Sequence, residues 1–126
     1  MGFAAWKRGE HRWPVIVSVR PEGKNGLTFR VSFSPKLYIG LGWRAGDLMD
    51  LSFGTGQDEG WVRITPHGVR KLQRVPRSDR LMITAKANSD WTQCQALEVQ
   101  EFKPDPIGRR LTLRLPWATQ SIARVA

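Results

Sequence analysis

The sequence predicts a mostly β domain, a small barrel or rolled sheet of about seven short strands with one short helix at residues 35–41. Apolar and polar residues alternate through most of the chain, turn-forming Gly, Pro, Asn and Asp recur at short intervals, and no long helical stripe competes with that pattern. At 126 residues the chain reads as one domain, 1–126, with residues 1–12 as an arm ahead of the first strand. Rolling or closure is how so small a sheet removes its exposed edges.

Residues 15–20 form the first expected strand, entered through Trp13-Pro14. A turn at residues 21–26 leads into a second strand that puts Leu27, Phe29, Val31 and Phe33 on one face and Thr28, Arg30 and Ser32 on the other. Asn25-Gly26 supplies the positive φ that a tight hairpin requires. Ser34 then offers an N-cap and Pro35 a pre-set first helical residue, while Gly42 can stop the helix in the left-handed conformation. Leu37 and Leu41, four apart, stack on its core side.

A turn at Gly46-Asp47 opens a strand at residues 48–53, and an acidic tip at 54–60 returns the chain into a strand at 61–65. Residues 69–79 read as a short strand and an exposed loop broken by Pro76. Segments 81–87, 96–102 and 111–115 complete the set, the last with Leu111, Leu113 and Leu115 inward and ended by Pro116.

Twenty Lys and Arg stand against eleven Asp and Glu, a formal charge of +9. Residues 1–44 carry +6, residues 45–62 carry −4, and residues 63–80 carry +5, which predicts a polarised surface. A small body so charged attracts polyanions, and nucleic acid is the commonest. The densest cluster is Arg63, Arg70, Lys71, Arg74, Arg77 and Arg80, opposed only by Asp79. A guanidinium forks two donors onto a phosphate or a guanine edge, and its plane stacks on bases. The structural alternative is a solvated, self-paired basic loop that keeps the chain dispersed. Lys7, Arg8 and Arg12 form a second patch beside Trp6, His11 and Trp13, a mixture suited to single strands. Arg109 and Arg110 form a third, less specific pair. Six tryptophans exceed what a core of this size needs. Trp61, in strand register with Arg63 and Thr65, is the first candidate for a surface stacking platform.

Catalytic readings fail on chemistry. Asp47, Asp50, Asp58 and Glu59 lack calcium-loop spacing, and Asp47 suits a turn that accepts backbone N–H bonds. His11, His67 and Cys94 lack metal-ligand spacing, the hydroxyls lack a nucleophile elbow, and no Gly-rich phosphate loop follows a strand. No enzyme activity, metal or cofactor is expected. The lone Cys94 cannot form an internal disulfide, the apolar stretch within MGFAAWKRGEHRW is too short for a signal peptide, and no 18 apolar residues run together. A cytoplasmic protein without a membrane partner is the expectation, in a bacterium or an infected host cell.

Residues 31–53 read VSFSPKLYIGLGWRAGDLMDLSF. This resembles the AbrB/MazE-type swapped-hairpin transcription factors, in which a strand enters a short Pro-headed helix and a Gly-Asp turn leads to the next strand. Val31, Phe33, Pro35, Leu37, Leu41, Gly42, Gly46, Asp47, Leu48 and Leu51 fill the corresponding positions. The resemblance implies an intertwined homodimer that binds DNA through arginines near the N-terminal hairpin, with Arg20 and Arg30 as candidates here. Arg8-Gly9-Glu10-His11-Arg12 together with Asp50-Leu51-Ser52-Phe53-Gly54-Thr55 resembles the two elements by which PilZ domains hold cyclic di-GMP, with Thr55 where that motif has glycine. The expected function is therefore non-catalytic nucleic-acid binding, DNA ahead of RNA, in the manner of a transcriptional regulator. A small phage or accessory inhibitor, or a virion-associated protein, acting on an acidic protein partner fits the same counts, and cyclic di-GMP binding is a further alternative.

Overall fold

Alternation along the first hairpin sets the architecture. In a computed structural model that describes residues 13–21, 26–87, 91 and 94–117, strands β1 (Val15–Pro21) and β2 (Leu27–Phe33) pair antiparallel, with Val17 opposite Val31 and Val19 opposite Phe29. One face of this hairpin, including Val15, Val17, Val19, Phe29, Val31 and Phe33, is fully buried. Strand β7 (Leu81–Lys86) pairs with β2, β8 (Cys94–Glu98) with β1, and the two-residue β6 (Gln73–Arg74) with β7. The first sheet thus runs β6-β7-β2-β1-β8. The second runs β5-β3-β4-β10-β9, built from β3 (Leu48–Phe53), β4 (Trp61–Pro66), β5 (Arg70–Lys71), β9 (Phe102–Asp105) and β10 (Arg110–Arg114).

The two inner faces share one core, in which Met49, Leu51, Val62, Ile64, Leu111 and Leu113 of the second sheet meet the apolar face of the first. Aromatic rings close the space between them. Phe29 touches Phe53, Trp91 and Trp117 edge-on at centroid distances of 5.6, 5.3 and 6.1 Å, and Phe33 meets Trp43 at 5.1 Å. Trp43, buried to 2% exposure, donates its indole N–H to the Arg109 carbonyl at 2.9 Å.

Helix α1 (Pro35–Gly40) forms for the reasons its sequence gives. The Ser34 hydroxyl accepts from the Leu37 amide, Pro35 opens the first turn, and Gly42 follows at φ +73°. Leu41 is buried and Leu37 packs against the core, so tertiary cover holds a helix too short to stand alone. Strand β2 before it and strand β3 after it belong to different sheets, so α1 and its turn carry the chain across.

Ten strands occur among the described residues against about seven expected, and two of the additional strands come from sheet changes. The stretch 96–102, read as one strand, divides into β8 of the first sheet and β9 of the second. The short strand expected near residue 70 is likewise two, β5 and β6, lying in different sheets. Between them sits Leu72, with no solvent exposure, whose amide donates to the Asp47 carbonyl at 2.9 Å and whose carbonyl accepts from Gly46 at 2.7 Å. The sheets are joined at this corner and are not closed onto each other, which makes the architecture a rolled sheet. Replacing Leu72 with alanine should cost about 2–5 kcal/mol in urea unfolding, because the cavity opens where both sheets depend on one side chain.

Candidate nucleic-acid interface

Because strand side chains alternate, every inward core residue fixes an outward neighbour. On the second sheet the outward set forms cross-strand rows. Ser52 of β3 lies opposite Arg63 of β4, Arg63 opposite Thr112 of β10, and Thr112 opposite Lys103 of β9. The next row pairs Trp61 with Arg114. The Arg114 guanidinium carbon stands 5.7 Å from the centroid of the Trp61 ring, a cation–π contact. A shallow concavity of about 330 Å³ is lined by Trp61, Arg63, Lys103, Thr112, Ser52 and Asp58, among others, and Arg114 is outside its lining. Trp61 therefore presents the concavity with aromatic surface, while two cations and two hydroxyls stand around it.

Asp58 reaches this rim because the acidic tip folds as a short 3-10 turn (Gly56–Asp58) against the end of β3. Gly54 makes that possible, since a Cβ there would fall onto the Asp58 carbonyl. A carboxylate only accepts hydrogen bonds, so Asp58 repels phosphate and favours a base edge that presents N–H donors.

The outward face of the first sheet carries a different set. Arg20 lies opposite Thr28, and Thr28 opposite Lys86; in the next row Ser18, Arg30 and Thr84 are aligned. Burial first, and the neighbouring Arg20 charge second, lower the Arg30 guanidinium from its ordinary pKa. A second depression, of about 420 Å³, is lined by Thr28, Arg70, Thr84 and Lys86 among others. This face points away from the Trp61 face, because the shared core lies between them.

The basic residues picked from the sequence thus separate into four kinds of position. Trp61, Arg63 and Lys71 lie on the second sheet, with Lys71 opposite the exposed Leu48 at its edge. Arg20 and Arg30 lie together on the first. Arg70 and Arg74 flank the corner at Leu72: Arg70 donates to the Thr84 carbonyl at 3.1 Å and so ties the edges of the two sheets, while Arg74 is exposed. Arg77 occupies the exposed tip of the β6–β7 turn at φ +60°.

Arg80 corrects the expectation of a six-cation exposed cluster. It is 3% exposed, and its guanidinium donates to the Ser32 hydroxyl and carbonyl, both at 3.1 Å, and to the Trp13 carbonyl at 2.6 Å. Desolvation lowers its pKa to about 10, opposed by Asp79 and assisted by Arg30. A residue committed to those acceptors is an internal clamp, and the phosphate-contact role passes to others. The surface is also not polarised by segment as expected, since the cations of residues 63–80 spread over both faces and the corner. Lys7, Arg8 and Arg12 lie outside the described residues.

Lys86, Lys103 and Arg114 were not visible as site residues in the sequence. Lys103 and Arg114 each alternate with a partly or fully buried neighbour, Phe102 and Leu113. That period was the available signal, but residues 96–102 read as one strand concealed the start of β9. Arg109 and Arg110 are occupied structurally. Arg109 donates to the Gly42 carbonyl at 3.0 Å and reaches Asp47 at 3.4 Å, and Arg110 pairs with Asp105 at 2.8 Å. Asp47 also accepts the Arg44 amide at 2.9 Å, the turn role its position implies. Among the described residues no group of three or more His, Cys, Asp or Glu could hold a metal, and no helix is long and apolar enough to cross a membrane. Asp50 stands exposed on β3, and the Arg8–Arg12 half of the cyclic di-GMP resemblance lies outside the described residues.

No family model matches the chain, and no curated protein or solved structure matches it.

The Arg110 side chain first, and then the Gly108 amide, hold the Asp105 carboxyl below its ordinary value of 3.8. A carboxyl so depressed stabilises the fold above its unfolded pKa, and that contribution is lost as pH falls through the lower folded value. Asp105 should accordingly titrate by carbon-detected NMR with a midpoint below 3.8. Arg110→Ala should return the midpoint toward that value; a midpoint at or above it in the unaltered protein would contradict the pairing.

Proposed function

We propose that this protein is a non-catalytic nucleic-acid-binding protein that takes DNA on the outer face of its second sheet. The observation that carries the reading is the convergence of Trp61, Arg63 and Lys103 on one concavity, with Arg114 against the indole behind it. An aromatic ring beside cations on an open sheet face suits a polymer of stacked bases and phosphates, because one ring meets a base while neighbouring side chains meet its backbone. Thr112 and Ser52 add hydroxyls that hydrogen-bond phosphate or sugar.

The resemblance of residues 31–53 to swapped-hairpin transcription factors supports nucleic-acid binding in general, with its candidate arginines Arg20 and Arg30 on the opposite face, and adds a homodimer to the reading. One end of the second sheet exposes Leu48, Val69 and Ile107, with Ile39 of α1 nearby. We place self-association on the Ile39 and Ile107 part of this end, which leaves Leu48 and the neighbouring Lys71 uncovered. We place the protein in the cytoplasm.

Binding should weaken steeply as salt rises, by about 0.7 log units per log unit of salt for each phosphate neutralised on a single strand and about 0.9 on a duplex. Trp61→Ala should cost about 1–3 kcal/mol against an unpaired oligonucleotide, and Arg63→Glu should also reduce the salt slope by about one contact. Fluorescence anisotropy across a salt series measures both. Absence of any binding at low salt would overturn the reading and turn attention to an acidic protein partner, tested by pull-down from nuclease-treated lysate.

A further inference from the structure

Two basic faces that point in opposite directions would ordinarily be two separate sites. The corner between them changes this. Sequence and topology place Lys71 and Arg74 on either side of Leu72, at the one stretch where the chain passes directly from the second sheet to the first. Both are exposed. From that corner the first sheet continues outward through Lys86 on β7, Arg30 on β2 and Arg20 on β1, in the order in which those strands are paired. The second sheet continues through β3, whose outward residues between these rows include the exposed Asp50, to Arg63 on β4 and Lys103 on β9. Among the described residues the two salt bridges, Arg109–Asp47 and Arg110–Asp105, involve none of these seven cations. Six of them are exposed and Arg30 is part-buried, and together they mark a belt that starts on one face, rounds the corner and ends on the other.

We propose that this belt is the track of one flexible, single-stranded nucleic acid, which wraps from the Trp61 face around the Leu72 corner onto the Arg20–Arg30 face. The proposal rests on the nucleic-acid reading of the Trp61 face and extends it by assigning the strandedness, the path and the second face. Strands about 4.8 Å apart and sheets about 10 Å apart, with the added offsets along the strands between the Lys71 and Arg63 rows and between the Arg74 and Lys86 rows, make the path from Lys103 to Arg20 at least roughly 45 Å long. Duplex DNA, with a persistence length of about 150 base pairs, cannot follow a turn so tight without a large bending cost. A single strand can. Its site size should be on the order of 8 nucleotides or more, inside the range of about 4–16 known for small β-domains that bind single strands.

The test is the dependence of affinity on length. Oligothymidylates of four, eight, twelve and sixteen nucleotides, and a sixteen-base-pair duplex, are titrated by anisotropy, with stoichiometry per chain from sedimentation. The wrapped path predicts that affinity rises about tenfold or more from the shortest oligomer to a plateau near the belt length, with one long oligomer per chain and the salt slope growing in step. Lys71→Glu with Arg74→Glu, at the exposed corner, should flatten that rise while affinity for the four-nucleotide oligomer changes less than about threefold. Arg20→Glu with Lys86→Glu, on the far face, should flatten it as well, and thermal unfolding checks that each pair still folds. The proposal is overturned if affinity does not grow with length, if two long oligomers bind one chain, if the corner pair weakens all lengths equally, or if the duplex binds more tightly than the single strand. Absence of binding at every length would instead remove the nucleic-acid reading itself, and binding of the short oligomer without gain from length would remove only the wrapping.

Discussion

The two hydrogen bonds of Leu72, to Gly46 and Asp47, and the burial of its side chain decide how the rest of the molecule is arranged. A strand that ran on straight from residue 70 would extend the second sheet and leave its edge open. Anchoring at Leu72 turns the chain after two residues, so that Gln73 and Arg74 pair with β7 and the edges of both sheets are joined through one segment. Arg70 reinforces the joint through the Thr84 carbonyl. With the sheets so held, period-two alternation sends every second side chain into the common core, and the polar residues between them are assigned to two outward faces without further choice.

Much of this was legible in the sequence, and the reasons are local. The hairpin of β1 and β2, the Ser34-Pro35 helix start, the left-handed Gly42 and the inward leucines of β10 each follow from a signal a few residues long. What could not be read were places where long-range pairing overrides continuity. Residues 96–102 look like one strand because no proline or glycine interrupts them, yet Val99 is buried and the chain changes sheets after it. The basic segment 63–80 carries no mark separating exposed cations from a buried one. Arg80 differs from Arg77 only in having Ser32 and the Trp13 carbonyl within reach, and those partners come from the far end of the sequence. Convergence of Lys103 on Trp61 likewise depends on β10 lying between β9 and β4, which local pattern does not reveal.

Charge in this fold serves three different ends. Arg80 is spent internally on the Ser32 hydroxyl and on the Ser32 and Trp13 carbonyls, and the part-exposed Arg109 on the Gly42 carbonyl and Asp47. Arg110 settles its own hairpin through Asp105. Arg20 and Arg30 share one outward face of the first sheet, where burial first and the Arg20 charge second lower the Arg30 pKa. Counting net charge therefore overstates the surface available to a polyanion, while sorting cations by partner points to the ones that remain outward.

The order of strands in the first sheet also has a bearing on how the molecule comes into being. The central hairpin is complete by Phe33, but the neighbours that cover its two edges, β7 and β8, arrive only with residues 81–98. Such pairings between distant segments put the chain among slow-folding topologies, on the order of milliseconds to seconds. For that interval a hairpin rich in valine and phenylalanine has both edges bare, the condition under which strands of different molecules pair with each other. Arg20 and Arg30 project from those same strands, and repulsion between chains that carry them acts against aggregation before any ligand is met.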